Sequence, residues 1–251
     1  MPPFAAYWAF FLDVDGTLLE HTEHPQEVRV GTELLRLLER LLAAAGGAVG
    51  LISGRSVEDI DQLFAPHAFP AAGQHGTERR SADGALHRHA PPLEHLGRAA
   101  AGLVRLTAAH AGLVFENKGM TLALHYRRAP ELGALAEREM RVIAAALGDD
   151  FELQKGKFVL EIKPSGKDKG SAIAEFAAEA PFAGRLPVFV GDDVTDELGF
   201  QVVNRFGGHS VKVGPGESCA RWRLADAAAV RQWLGEYAAR FGGGRAASGT
   251  G

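Results

Sequence analysis

The sequence contains a single cysteine, Cys219, among 251 residues. An internal disulfide is therefore excluded, and a reducing cytoplasm is the simplest compartment for the chain. Its 27 Lys and Arg residues stand against 31 Asp and Glu residues, a formal charge of −4 with no basic block. The broad cationic surface that nucleic acids require is missing, so we do not expect a nucleic-acid partner.

Long apolar runs are also missing, since none approaches the roughly 18 to 20 residues that a membrane span requires. The apolar N-terminus, MPPFAAYWAFFL, has no basic region and runs directly into Asp13, unlike a secretory signal. None of the 10 histidines stands at His-Glu-x-x-His spacing. What remains is a composition with 46% hydrophobic residues, typical of a soluble globular protein, which we expect to be monomeric and cytoplasmic.

Strand and helix patterns alternate at both ends of the chain. Residues 8–12 form a short apolar run typical of a strand buried on both faces, followed by a leucine-rich helix and the strand AVGLIS. The elements expected after residue 165 are a helix over 171–179, the strand LPVFV, a helix near 196–203, the strand HSVKV and a helix from about Asp226. This alternation predicts an α/β fold with a parallel sheet.

The middle of the chain follows a different pattern. A helix precedes a hairpin that turns at Asn117-Lys118-Gly119, and a second helix, opened by Pro130, precedes a hairpin that turns at Lys155-Gly156-Lys157. The predicted order is αββαββ, an inserted sheet backed by helices, which we expect to act as a lid. The predicted divisions are a two-part core, an inserted cap and a flexible tail, at 1–87 with 165–241, 88–164 and 242–251.

Polar side chains follow several strands of the predicted parallel sheet. Asp13 and Asp15 come after the first strand, Ser53-Gly54-Arg55 after the second, and GDDVTDE, residues 191–197, after a later one. Since the carboxyl ends of parallel strands share one edge, these carboxylates would meet there and repel by about 4 kcal/mol per close pair. A bound cation relieves that repulsion, and hard oxygen ligands favour Mg²⁺.

A phosphate ester at the same edge accounts for the remaining polar groups. Ser53 and backbone N–H groups after Asp13 can donate to phosphoryl oxygens, and a lysine can supply positive charge near a helix N-terminus. Asp13 is the expected nucleophile, and Asp15 is the expected acid and base for the leaving alcohol and the attacking water. Three lysines compete for the catalytic role, of which Lys169 is favoured by its place at a helix start: Lys163, Lys167 and Lys169.

The segment GDDVTDE also has a purely structural interpretation as a capped helix start. In that interpretation Thr195 is the cap, and Asp196 and Glu197 complement the helix dipole. Both interpretations can hold together, with Asp192 as a metal ligand.

In this order, DVDGT, SGR, a lysine before Gly170 and GDDVTDE resemble the four motifs of the haloacid-dehalogenase (HAD) superfamily of phosphohydrolases. More narrowly, GQHGTERR, ENKG, LEIKP, KG, GDDVTDE and VVNRFGG resemble the bacterial trehalose-6-phosphate phosphatases over about residues 8–238. The resemblance implies a Rossmann-like HAD core with an inserted cap. It implies Mg²⁺ held by the Asp13 carboxylate, the Asp15 carbonyl and Asp192, with Asp193 and Asp196 behind them.

The same resemblance implies how a substrate is held. The phosphate group is expected at the core, on Ser53, Gly54, Asp15, Gly16 and Lys169. The sugar is expected at the cap, on Glu116, Lys118, Arg127, Lys157 and Glu161. Carboxylates and ammonium groups suit a sugar, because they accept from hydroxyls and donate to ring oxygens.

The polar residues predict a Mg²⁺-dependent phosphatase that works through an aspartyl-phosphate, and the resemblance implies that its substrate is trehalose 6-phosphate. The nearest alternative is a related enzyme for sucrose 6-phosphate or mannosyl phosphoglycerate. A different class of alternative is a non-catalytic protein that accepts a phosphoryl group on Asp13 or senses a sugar phosphate. Asp15 argues against that class, because a switch that keeps its phosphate has no use for an acid and base two residues away.

Overall fold

The computed structural model describes residues 1–20, 28–89 and 94–242. The chain forms two compact units, one of Met1–His87 with Asp168–Gly251 and one of Arg88–Lys167. The predicted tail starts at Gly242, which caps the last helix, and its remaining residues, 243–251, lie outside the described part of the chain.

The first unit is built on an eight-stranded sheet. Its strands, in chain order, are β1 (Trp8–Asp13), β2 (Val49–Ile52), β3 (Ala71–Gly73), β4 (Glu78–Arg80), β5 (Leu86–Arg88), β10 (Leu186–Gly191), β11 (His209–Val213) and β12 (Trp222–Leu224). The spatial order is β12-β11-β10-β1-β2-β3-β4-β5. The pairs from β12 to β3 are parallel, and β3 pairs with β4 antiparallel. β1 therefore lies inside the sheet, between β2 and β10.

The two faces of this sheet bury alternate residues of β1. Trp8, Phe10 and Leu12 join one apolar cluster, whereas Ala9 and Phe11 join another on the opposite face. This double burial explains why the strand reads as a continuous apolar run.

Helices cover both faces of the sheet. Those of the first unit are α1 (Thr32–Ala44), α2 (Val57–Leu63), α5 (Lys169–Ala177), α6 (Glu197–Arg205) and α7 (Ala227–Phe241). α1, α2 and α7 supply leucine, valine, isoleucine and aromatic side chains to one cluster, and α5 and α6 supply alanine, isoleucine, valine and phenylalanine side chains to the other. The predicted α/β fold with a parallel sheet is confirmed.

The second unit contains two helices on an antiparallel sheet. Its elements are α3 (Glu94–Ala109), β6 (Val114–Asn117), β7 (Leu122–His125), α4 (Gly133–Leu147), β8 (Phe151–Gly156) and β9 (Val159–Pro164). The strand order is β6-β7-β9-β8. Leu122, Leu124, Leu160 and Ile162 of the sheet pack with Leu103 of α3 and with Met140 of α4. The order of elements is αββαββ, as the sequence predicts.

The local details agree with the expectations in part. The second hairpin does not turn at Lys155-Gly156, because both residues pair within the sheet, opposite Leu160 and Val159; the turn lies at residues 157–158. Pro130 opens the second helix as expected, through a 3₁₀ turn, Pro130–Leu132, that leads directly into α4. β12 and the short strands β3 to β5 were not expected at all, since three residues are too few to show a periodic pattern.

Within the described ranges, no helix combines the length and apolar character that crossing a bilayer requires.

Candidate active site

The carboxyl edge of the parallel sheet gathers the polar residues of the first unit. Asp13 ends β1, Ser53 follows β2 directly, and Asp192 follows β10 directly. Because β2, β1 and β10 are parallel neighbours, their ends meet, as predicted. Asp13 is 4% exposed and Ser53 is 1% exposed, so these groups lie at the buried floor of the edge.

Lys169 joins two of the carboxylates. It is the first residue of α5, whose start is capped by Asp168, and its Nζ lies 2.7 Å from Asp13 Oδ1 and 2.7 Å from Asp196 Oδ1. The other two candidate lysines belong to the second unit. There, Lys163 Nζ donates to the Lys167 carbonyl and pairs with Glu152 at 2.5 Å. Of the three candidates, Lys169 is the one that the structure brings to Asp13.

The ionisation of this cluster follows from its burial and its charges. Burial raises the pKa of Asp13 well above its usual value, and the positive charge of Lys169 opposes that rise. Burial likewise raises the pKa of Asp196, again against Lys169. For Lys169 burial lowers the pKa, but Asp13 and Asp196 outweigh it, so the pKa lies above the usual lysine range. The lysine is therefore a fixed positive charge at neutral pH.

The same edge has the donor set of a metal site. Asp13, Asp192 and Asp196 each place a carboxylate oxygen so that the three lie within 4.8 Å of one another. Gly16 makes room for this approach: a Cβ on it would lie 2.4 Å from the Asp192 carboxyl, and its φ of +86° suits glycine. Hard oxygen donors at this spacing fit Mg²⁺.

Asp196 has a supporting position in this cluster. Its Oδ1 accepts from Lys169, and its Oδ2 accepts the backbone N–H groups of Asp192 and Asp193, both at 2.9 Å. Asp193 caps the following 3₁₀ turn, Val194–Asp196, by accepting the Val194 N–H at 2.8 Å. The expected cap, Thr195, is wrong, because the turn starts two residues earlier than the pattern indicates.

Asp15 is held by a residue that the sequence did not single out. Arg55 Nε and Nη2 donate to the two oxygens of the Asp15 carboxylate, each at 2.7 Å. The Asp15 side chain is 34% exposed, so this carboxyl is the accessible member of the DVD pair, beside the buried Asp13. The sequence contained a clue to this contact, because Arg55 belongs to the SGR motif. The sequence analysis assigned Ser53 and Gly54 of that motif to phosphate binding and gave Arg55 no role.

The loop that carries Ser53, Gly54 and Arg55 is held by the GQHGTERR segment. The N–H of Gln74 donates to the Arg55 carbonyl at 2.8 Å, and the N–H of His75 donates to the Ser53 carbonyl at 3.0 Å. Ser53 Oγ accepts the Arg55 N–H at 3.1 Å, so its own proton can be donated elsewhere. A Cβ on Gly54 would lie 2.7 Å from the His75 ring, so the ring packs directly on the loop.

The predicted sugar contacts form two groups in the second unit. Glu116 of β6 and Glu161 of β9 lie opposite Ala123 of the strand between them, so all three project from one face of the sheet. Glu161 is 4% exposed, and the Lys118 ammonium lies 3.4 Å from it. Ala123 itself is fully buried between them.

A histidine missed by the sequence analysis, His125, belongs to the same face. Its Nε2 lies 2.9 Å from Glu116 Oε2. This hydrogen bond is the main reason why the pKa of Glu116 lies below its usual value, against the opposing effect of burial. The remaining predicted contacts meet elsewhere in the unit, where Arg127 Nη2 donates to the Lys157 carbonyl at 3.4 Å and its guanidinium lies over the Phe158 ring.

Known proteins resemble this chain in sequence and in fold. The profile of the trehalose-phosphatase family matches residues 11–228. The trehalose-6-phosphate phosphatase of Escherichia coli K12 is 47% identical over 242 residues, which cover 93% of this chain and 87% of that protein. A probable trehalose-phosphate phosphatase of Sinorhizobium fredii is 46% identical over 208 residues, covering 83% of this chain and 78% of the relative.

Solved structures share the architecture. The crystal structure of a trehalose-6-phosphate phosphatase related protein superposes with a TM-score of 0.78 at 27% identity, over 92% of this chain and 97% of the other. The C-terminal domain of the Candida albicans trehalose-6-phosphate phosphatase gives a TM-score of 0.81 at 23% identity, over 93% and 92% of the chains, which shows the shared fold alone.

A parallel sheet with an inserted second unit, and an aspartate-lysine cluster at the carboxyl edge of that sheet, define a phosphatase of the HAD superfamily. The family match and the close relatives refine this class. The chain belongs to the trehalose-phosphatase family, so the resemblance drawn from the motifs is confirmed.

Proposed function

We propose that this protein is a Mg²⁺-dependent phosphatase that hydrolyses trehalose 6-phosphate to trehalose and phosphate through an aspartyl-phosphate on Asp13. The observation that carries the proposal is the contact of Lys169 with both Asp13 and Asp196, beside Asp192, at the edge where a phosphate ester is expected. Two close relatives named for this substrate give further support.

The residues that would hold Mg²⁺ are Asp13 and Asp192 through their carboxylates and Asp15 through its carbonyl. When bound, the ion supplies Lewis-acid polarisation of the phosphoryl oxygens. Lys169 supplies a second positive charge that lowers the repulsion between an anionic nucleophile and a phosphate dianion. Ser53 donates its hydroxyl proton to a phosphoryl oxygen, and this contact orients the group for in-line attack.

Two displacements at phosphorus follow. In the first, a carboxylate oxygen of Asp13 forms a bond to phosphorus while the bond from phosphorus to the sugar oxygen breaks, and Asp15 gives its proton to that oxygen. In the second, Asp15 takes a proton from water as the water oxygen attacks phosphorus. The bond between phosphorus and Asp13 then breaks, which releases phosphate and restores the free carboxylate.

The sugar would bind to the second unit. Glu116 and Glu161 would accept hydrogen bonds from sugar hydroxyls, and Lys118 would donate; their shared face of the sheet and the contact of Lys118 with Glu161 support this assignment. Arg127 and Lys157 form the other predicted contact group. A cytoplasmic location is part of the proposal, in keeping with the single cysteine. The monomeric state and the lack of a nucleic-acid partner stay predictions.

Phosphate release tests the proposal. Purified protein is assayed with trehalose 6-phosphate, sucrose 6-phosphate and glucose 6-phosphate, each with MgCl₂ and with EDTA. We expect release from trehalose 6-phosphate to be fastest and to depend on Mg²⁺. Equal rates on the three substrates would contradict the substrate assignment, and full activity in EDTA would contradict the metal dependence.

A further inference from the structure

A buried lysine beside the acidic cluster has no role in the chemistry above. Lys212 lies in β11, opposite Gly191 of β10, the residue that immediately precedes Asp192. It is only 6% exposed. A buried ammonium is costly unless its N–H groups are hydrogen-bonded, so its partners indicate what it does.

The Lys212 ammonium donates to two backbone carbonyls. Lys212 Nζ donates to the carbonyl of Asp192 at 2.6 Å and to the carbonyl of Val213 at 2.6 Å. The first bond reaches across from β11 to the loop after β10, which carries the candidate metal ligand. Lys212 therefore fixes the peptide group that follows the Asp192 Cα.

The peptide group before the Asp192 Cα is fixed from the other side. The N–H of Asp192 donates to Asp196 Oδ2 at 2.9 Å, and Asp196 is itself fully buried and bound by Lys169. Lys212 and Asp196 thus hold both peptide groups that flank the Asp192 Cα. Those two groups define the backbone dihedrals of the residue, and with them the direction of its side chain.

Close neighbours make the position of the Asp192 carboxylate sensitive to the orientation of its backbone. Thr17 Oγ1 lies 3.5 Å from Asp192 Oδ1, a long hydrogen bond. The carboxyl also lies against the backbone of Gly16, where a Cβ would collide with it at 2.4 Å. A small rotation of the peptide would move the carboxylate away from Asp13 or drive it into Gly16.

We propose that Lys212 is a positioning residue for the divalent-cation site, acting through the carbonyl of Asp192. The inference rests on the metal site of the proposed function. The positioning role and simple electrostatics predict opposite changes in Mg²⁺ affinity when Lys212 is removed, because a positive charge near a cation site repels the cation. If only the charge of Lys212 mattered, its removal would tighten cation binding; if positioning dominates, its removal weakens it.

Calorimetric titration of the full-length protein with MgCl₂ measures this difference directly. We expect Lys212→Met to raise the Mg²⁺ dissociation constant by about tenfold or more, in the range typical of residues that support metal ligands. The matched control is Lys155→Met, which removes an exposed lysine that pairs with Glu137 in the second unit. That variant is expected to keep the wild-type dissociation constant.

A second variant separates geometry from charge and covers the case in which Lys212→Met does not fold. Lys212→Arg keeps the positive charge but cannot place one nitrogen between the two carbonyls. Positioning predicts weaker Mg²⁺ binding in Lys212→Arg as well, whereas a pure charge effect predicts the wild-type value. Circular dichroism of each variant identifies those that fold.

Mg²⁺ titration of the wild type and of Asp192→Asn separates the existence of the metal site from the positioning role of Lys212. If the wild type binds no Mg²⁺, the metal site of the proposed function is wrong and the role of Lys212 falls with it. If the wild type binds Mg²⁺ and Asp192→Asn weakens binding, the metal site stands. Unchanged or tighter binding in the Lys212 variants would then overturn the positioning role alone.

Discussion

Arg55 and Asp15 show how a single contact divides the work between two nearby carboxylates. Asp13 is buried and bound to Lys169, which suits a nucleophile that stays in place. Asp15 is partly exposed, so it can face the leaving alcohol and water; Arg55 orients it by donating to both oxygens, and one of these bonds must open when Asp15 takes up or gives a proton. The two neighbouring aspartates of DVDGT are therefore accommodated by different cations, Lys169 at Asp13 and Arg55 at Asp15.

Removing the guanidinium should affect the proton-transfer step selectively. Arg55→Ala leaves Asp15 without its two hydrogen bonds, and a misplaced acid can cost roughly 100-fold in rate. We expect kcat/KM to fall by about that factor for trehalose 6-phosphate. We expect a much smaller fall for p-nitrophenyl phosphate, whose leaving group needs no proton. Steady-state kinetics measure the fall in kcat/KM for each of the two substrates.

Arg55→Lys is the control for charge, since it keeps a cation but loses the bidentate geometry. Equal losses on the two substrates would mean that Arg55 binds phosphate or supports the loop rather than orienting Asp15.

Residues at the ends of strands could be predicted from the sequence, whereas the partner of a particular side chain often could not. Asp13, Asp15, Ser53 and Asp192 follow apolar strands directly, and parallel strands bring their ends together whatever the details of packing. Arg55 reaches Asp15 across 40 positions, and Lys212 reaches Asp192 across 20. Such pairings depend on tertiary packing, which strand and helix patterns do not encode.

Among elements, the two helical glycines at positions 102 and 199 offer a matched comparison. A Cβ on Gly199 of α6 would lie 2.4 Å from the Phe189 ring, whereas a Cβ on Gly102 of α3 meets nothing within 4 Å. We expect Gly199→Ala to destabilise the protein by about 1–3 kcal/mol through overpacking. Gly102→Ala should stabilise its helix by roughly 0.5–1 kcal/mol.

Urea denaturation of both variants measures these changes. Two stabilising substitutions would show that α6 can move away from the sheet. Two destabilising ones would show that Gly102 has a role that its open surroundings do not reveal.

The antiparallel sheet of the second unit contains a pH-sensitive cross-strand pair. The hydrogen bond from His125 lowers the pKa of Glu116 below its ordinary value of 4.5. A lowered carboxyl pKa contributes stability that is present above the unfolded-state value and is lost as the pH falls through the folded-state value. Because the Glu116 side chain is 46% exposed, the contribution should stay below about 1 kcal/mol.

Glu116→Gln should therefore lower the free energy of unfolding at pH 7, and the deficit should shrink as the pH falls below about 4.5. Chemical denaturation of the two proteins across this range measures the difference. A deficit that stays constant with pH would show that the ionised carboxylate contributes nothing.

The hairpins of this unit also show the limit of turn patterns. Asn117-Lys118-Gly119 was expected at a turn; Asn117 is the last residue of β6, opposite Leu122, and Lys118 and Gly119 lie in the turn. Lys155-Gly156-Lys157 also combines lysine with glycine, yet Lys155 and Gly156 pair in the sheet and the turn includes Phe158 at a φ of +63°. A bulky residue with positive φ is uncommon, so the sequence favoured the wrong pair.

For the whole molecule, the proposal assigns different parts of the substrate to the two units. Phosphate chemistry depends on the first unit, and sugar selection depends on the face that carries Glu116 and Glu161. Glu116→Ala should therefore lower kcat/KM for trehalose 6-phosphate by about 10- to 100-fold, the loss expected for a hydrogen bond to a charged group. For p-nitrophenyl phosphate, which has no sugar, kcat/KM should change little. Equal losses on both substrates would make Glu116 a structural residue.

The central claim is that Asp13 becomes phosphorylated, and rapid-quench labelling tests it most directly. Protein carrying Asp15→Asn, which lacks the base for the second displacement, is mixed with excess p-nitrophenyl phosphate and MgCl₂, acid-quenched and mapped by mass spectrometry. The account predicts a phosphoryl group on Asp13, and no phosphoprotein when Asp13→Asn is added. A phosphoryl group on another residue, or trehalose 6-phosphate hydrolysis that persists in Asp13→Asn, would contradict it.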